Sequence, residues 1–121
     1  MAQPISILSI SQNRAVVRTI HDYVKSHGYV IAGILESDPF SADDFSLALR
    51  ILEPAPRAVV IGRGYSGEEA TESRKIYSEF AKSVGVKDGI VIKITDEVCD
   101  KVGREGIPAW VLKELQTHFG K

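Results

Sequence analysis

Short apolar runs alternate with stretches of helical periodicity along the whole chain. Ile5 to Ile10 reads Ile-Ser-Ile-Leu-Ser-Ile, a compact β-rich run. Val16, Val17, Ile20, Val24 and His27 then recur at the spacing of one helix face. Gly28 follows, a residue able to close that helix in the left-handed conformation. Tyr29 to Leu35 is apolar at nearly every position, the pattern expected of a strand covered on both faces. Ser41-Ala42-Asp43-Asp44 predicts a capped helix start, with Phe45, Ala48, Leu49 and Leu52 as the buried face. Pro54 and Pro56 end that helix, because proline lacks the amide and restrains its predecessor. Ala58 to Ile61 reads as a third strand and Ile90 to Ile94 as a fourth. Between them a long helix carries Ala70, Ser73, Tyr77, Phe80 and Val84 on one side, with Gly85 as its stop. Thr95 to Val102 predicts a short helix halted by Gly103. Pro108 suits the first turn of a last helix ending near Phe119.

This β-α-β-α-β-α-β-α order specifies a three-layer α/β/α protein with a doubly wound parallel sheet of about four strands. Right-handed crossovers favour the strand order 2-1-3-4, a Rossmann-like or flavodoxin-like arrangement. Ligands of such sheets bind beyond the carboxyl ends of the strands, where the strand order reverses. With 121 residues, 44% of them hydrophobic, residues 1–121 are expected to form one domain whose core needs no metal or disulfide.

Charge and cysteine content narrow the function. Fifteen basic and sixteen acidic residues leave a formal charge of −1, without the footprint of a nucleic-acid or anionic-membrane binder. Cys99 is the only cysteine, so neither an internal disulfide nor a thiolate zinc cluster can form. No apolar run approaches the ~18 residues of a membrane span. Met1-Ala2-Gln3-Pro4 lacks the basic start of a secretory signal. A cytoplasmic location is therefore the expectation.

Several motifs bear on the chemistry. Gly62, Gly64 and Gly67 spell G-x-G-x-x-G between a strand and a helix, the context of a dinucleotide fingerprint. Glu68 and Glu69, however, occupy the first helical turn and would repel a phosphate there. Ser66 and Glu69 have capping-box spacing, which accounts for the sequence without a ligand. Asp96 lies 29 positions after Gly67, whereas the ribose-binding acid is expected about 20 beyond the motif. A structural tight turn is the preferred reading. Aspartyl phosphotransfer would need acids where the chain has Ser11-Gln12-Asn13 and Gly62-Arg63. Cys99 and Arg104 are one residue too close for a Cys-x5-Arg phosphate cradle, leaving a half-buried thiol. His21, His27 and His118 lack metal-ligand spacing, and His21 and His118 are expected on exposed helix faces. No Gly-x-Ser-x-Gly elbow is present. Trp110, near Leu112, Leu115 and Phe119, is expected to pack in the core or at a subunit contact.

Residues 5 to 38 resemble the opening β-α-β of Rossmann-type NAD(P)-binding proteins, in particular the atypical short-chain dehydrogenase or NmrA-like group. The resemblance rests on Ile7-Leu8-Ser9-Ile10, Arg14-Ala15-Val16-Val17-Arg18 and His27 to Glu36. It implies a nucleotide-binding fold, with Glu36 in the position of the ribose-binding acid. The family's phosphate-loop glycines have no counterpart in Ser9-Ile10-Ser11-Gln12-Asn13-Arg14, and no tyrosine here has a lysine four places on. Ser11-Gln12-Asn13-Arg14 is also similar to the end of the phosphate loop in flavodoxin-like FMN reductases.

If the first and third strands are neighbours, Ser9, Ser11, Asn13 and Arg14 meet Arg63, Tyr65 and Ser66 above one crevice. Two guanidiniums, several hydroxyls and a helix N-terminus would then suit a phosphate or carboxylate. The candidate ligand-binding residues are Ser11, Asn13, Arg14, Glu36, Arg63, Tyr65 and Ser66. The expected function is binding of a small anionic, phosphate-bearing ligand of the nucleotide class, without conventional dehydrogenase catalysis. No acid, base or nucleophile set is identifiable, no metal site is expected, and no particular cofactor is specified. The alternative is a protein-interaction module that forms a homodimer through an apolar helix face.

Overall fold

A computed structural model describes residues 3–120. Its strands are β1 (Ile5–Ile10), β2 (Tyr29–Leu35), β3 (Ala58–Ile61) and β4 (Ile90–Lys93). They alternate with the helices α1 (Arg14–Val24), α2 (Ala42–Ile51), α3 (Gly67–Val84) and α4 (Asp96–Phe119). The sheet is parallel throughout, in the order β2-β1-β3-β4. That is the doubly wound α/β arrangement read from the sequence. The central strands β1 and β3 are buried at every position.

Alternation along the strands divides the interior in two. Ile5, Ile7, Tyr29, Ala58, Val60 and Ile92 pack under α1 and α4, together with Ile20, Val24, Val111 and Leu115. Leu8, Ile10, Val59 and Ile61 face the other way, onto Phe45 and Leu49 of α2 and Tyr77 and Ala81 of α3. Burying one such side chain completely contributes about 1.5–3 kcal/mol, so both layers are needed to hold the short strands together. Trp110 is half-buried against the first cluster, in keeping with core packing.

Local signals set the element ends. Asn13, Ser41, Ser66 and Thr95 cap the four helices, each accepting a hydrogen bond from an amide in the first turn. Ser66 and Glu69 form the complete reciprocal capping box. Gly103 (φ 72°, ψ 165°) breaks α4 into two helical stretches, a conformation that disfavours any side chain. Pro108 follows within the second stretch.

Two expectations need correction. β2 is not covered on both faces: Ala32 is exposed and Ile34 is 41% exposed. The strand lies at the sheet edge, and its pairing with β1 shifts between Ile7 and Leu8, so Ala32 is left unpaired. His21 is not an exposed bystander either. Its ring Nδ1 accepts a hydrogen bond from the Ile31 amide at 3.2 Å and so ties α1 to that edge.

Candidate functional site

β1 and β3 pair directly, with Ser9 opposite Val60 and Ile10 opposite Ile61, so the loops at their carboxyl ends lie together where the strand order reverses. The contact is close. A Cβ on Gly64 would sit 2.7 Å from Gln12 Oε1, and one on Gly62 3.3 Å from the Ile10 carbonyl. Loop-on-loop packing thus explains two of the three glycines in the G-x-G-x-x-G run.

Above these loops lies a cleft of about 610 Å³, bounded by the start of α1 on one side and the first half of α4 on the other. Its floor is apolar: Val16, Val17, Ile20, Val60, Ile94 and Ile107. Its polar wall comes from Ser9, Ser11, Asn13, Arg63, Asp96 and Arg104. Ser9 is only 2% exposed and lines the cleft.

The loop before α1 satisfies itself through side chains. Ser11 Oγ accepts from the Asn13 amide at 3.0 Å, and Asn13 Oδ1 accepts from the Val16 amide at 3.3 Å. The first turn of α1 holds no acid, whereas α2, α3 and α4 carry Asp43 and Asp44, Glu68 and Glu69, and Asp96 and Glu97. Of the four helix starts, this one leaves its positive end uncompensated.

The residues singled out from the sequence separate into two groups. Ser11, Asn13 and Arg63 line the cleft. Arg14 turns away and pairs through Nε and Nη2 with Glu36, beyond the end of β2. The two guanidiniums therefore do not converge, because Arg14 is drawn to Glu36, the residue that follows β2. Arg63 Nε donates to Asp96 Oδ1 at 2.8 Å. Tyr65 drops through to the opposite layer, where it is 4% exposed and donates to the Ser37 carbonyl at 2.5 Å. Burial pushes its phenol pKa up, with the Ser37 bond opposing. Ser66 is occupied in the α3 cap.

Sequence reasoning missed the contribution of α4. Cys99, Asp100 and Arg104 all line the cleft, and the usable signal was Gly103, whose kink folds this segment over the β1–β3 edge. It also missed Lys93. The half-buried ammonium donates to the carbonyls of Gly62 at 2.8 Å and Ile94 at 2.9 Å, fastening the loop after β3. Desolvation lowers its pKa, with Asp96 opposing.

No protein-family model matches this sequence, and no curated protein does. The fold nevertheless defines a class, the Rossmann-like α/β proteins, with a cleft at the switch point of the sheet. Among the described residues no helix is long and apolar enough to cross a membrane.

Proposed function

We propose that the chain binds a small phosphate-bearing ligand of the nucleotide class in the cleft above β1 and β3. The observation that carries this reading is the position of the cleft, beyond the carboxyl ends of β1 and β3 where the strand order reverses, with Ser9, Ser11 and Asn13 on its polar wall. The acid-free start of α1 and the Arg104 guanidinium supply positive potential at the rim, offset in part by Asp100, while Arg63 is paired with Asp96. The apolar floor suits a base or another flat apolar group. Glu36 is held by Arg14 outside the cleft, so the NAD(P)-type ribose contact implied by the family resemblance has little support. Nothing in the cleft makes an acid–base pair for hydride chemistry, and the reading is binding without dehydrogenase catalysis.

Thermal melting with NAD(H), NADP(H), FMN, adenine and guanine nucleotides and inorganic phosphate tests it. A ligand at a hundred times its Kd adds ~2.7 kcal/mol, which raises the midpoint of a chain this size by about ten degrees. Ser9→Ala and Arg104→Ala should each reduce that shift. Flat curves with every compound overturn the reading.

A second reading, a homodimeric interaction module, draws on α2, where Leu47 and Ile51 are 52% and 69% exposed one turn apart. Sedimentation equilibrium decides it: a dimer lost on Ile51→Lys supports association through that face.

A further inference from the structure

The sheet has two free edges, and they are finished differently. At β2 the ladder is broken at Ala32 and His21 occupies the outward Ile31 amide. At β4 the pairing with β3 is regular from Ile90 to Lys93. The Ile90 and Ile94 amides donate inward to the Arg57 and Ile61 carbonyls. By the alternation of a parallel ladder, the amide and carbonyl groups of Val91 and Lys93 point outward. No hydrogen bond covers those outward groups among the described residues, and Ile90 and Val91 are only half-buried.

Beside this edge, between α3 and β4, runs a groove of about 630 Å³. Arg74 and Lys82 reach it from α3 and Lys87 from the loop before β4, and its lining contains no carboxylate. None of the three cations makes an ion pair among the described residues. Asp88, next to Lys87 in the chain, is held by Arg57.

We propose that the β4 edge and its basic groove take an extended acidic segment of a partner protein as a fifth strand. Main-chain groups of Val91 and Lys93 supply the ladder bonds, and Arg74, Lys82 and Lys87 select carboxylates on the incoming strand. The outward amides favour a polypeptide over a phosphate polymer. A second copy of the chain fits poorly. A two-fold axis pairing β4 with its copy would bring Arg74 and Lys82 against the same cations of the other α3. Charge on an edge is also a common protection against unwanted pairing, and the experiment separates protection from recognition. The inference is independent of the cleft above β1 and β3.

The test uses fluorescein-labelled peptides of about nine residues, alternating valine with glutamate, valine with lysine, and valine with glutamate but N-methylated at every second amide. The glutamate peptide should bind the full chain with a Kd below about 100 μM and slow hydrogen exchange at the Val91 and Lys93 amides. The lysine and N-methylated peptides should not bind. The variant R74E/K82E, and separately K87E, should weaken the glutamate peptide at least ~10-fold while circular dichroism stays that of the parent. The proposal is overturned by any of four results. These are no binding of the glutamate peptide at ~1 mM, equal binding of the N-methylated peptide, affinity unchanged by the charge reversals, or a dimer of the chain itself protecting the Val91 amide.

Discussion

Arg63 Nε donates to Asp96 Oδ1 at 2.8 Å, joining the loop after β3 to the first turn of α4 across the mouth of the cleft. Both side chains are largely exposed, at 64% and 76%. The pair therefore holds little folding energy. Its consequence is that Arg63, one of the two guanidiniums lining the cleft, is already partly neutralised by a carboxylate of the same chain.

Asp96→Asn should free that guanidinium. Affinity for an anionic probe such as ADP or pyrophosphate should rise about 3- to 10-fold, as expected for removing a like charge at a site rim. The melting temperature should fall only slightly, because a first-turn acid on an exposed helix end is worth ~0.3–1 kcal/mol and Thr95 keeps the cap. Calorimetric titration of wild type and variant makes the comparison. An unchanged affinity would place the anion away from Arg63.

Gly89 is required by its neighbour. A Cβ there would lie 2.5 Å from Tyr77 Oη, which is buried and donates to the Pro56 carbonyl at 2.7 Å. Moving the ring aside would give up that hydrogen bond, so Gly89→Ala should cost ~1–3 kcal/mol, the usual range for overpacking. Gly67→Ala is the control. Nothing lies within 4 Å of its added methyl, and alanine is the better helix former, so that variant should be neutral or more stable by up to ~1 kcal/mol. Urea denaturation of the two variants measures both.

The strand order, the caps at Ser41 and Ser66 and the meeting of the two loops were legible because each rests on local spacing or on the handedness of β-α-β connections. Ser41 and Ser66 act within their own first turns, so neighbours in sequence determine them, whereas Asn13, read as a ligand contact, also caps α1. Arg14 and Tyr65 were not legible as to direction. Arg14 finds Glu36 across 22 positions of chain, and that choice depends on how α1 lies against the end of β2. Tyr65 belongs to a polar loop, yet its ring fits edge-on against Phe40 at 6.4 Å; only tertiary packing reveals that slot. Likewise, the apolar run Tyr29 to Leu35 looks like a central strand, since periodicity records which residues are apolar and not how many neighbours the strand has.

Tyr29 is wholly buried between β1, α1 and α4, and its hydroxyl has no hydrogen-bond partner among the described residues. Its ring rests near Phe119 at 6.3 Å. Tyr29→Phe keeps the ring and removes the unmet donor. The expected result is a gain of roughly 1 kcal/mol, the lower end of the cost of an unsatisfied buried hydroxyl. Thermal or urea unfolding checks it, and a loss of stability would mean that the hydroxyl has a partner in solution.

Tyr77 sets the behaviour at high pH. Burial, with Asp88 adding to it and Arg57 opposing, pushes its phenol from 10.0 up to about 12. The folded protein therefore holds a proton that the unfolded chain releases first. Where the unfolded state binds fewer protons, stability falls as pH rises. The contribution is complete below pH 10 and is lost as pH climbs through about 12. Burial raises Tyr29 and Tyr65 in the same direction, so they add to the alkaline fall. Tyr77→Phe should be less stable than wild type at neutral pH, because the Pro56 carbonyl loses its donor at a cost of about 0.5–1.5 kcal/mol. Between pH 10 and about 12 its stability should decline less steeply than that of wild type. Urea midpoints measured across that range, with tyrosinate absorbance followed in parallel, give the two slopes. Identical slopes would show that the Tyr77 hydroxyl titrates as freely in the fold as in the open chain.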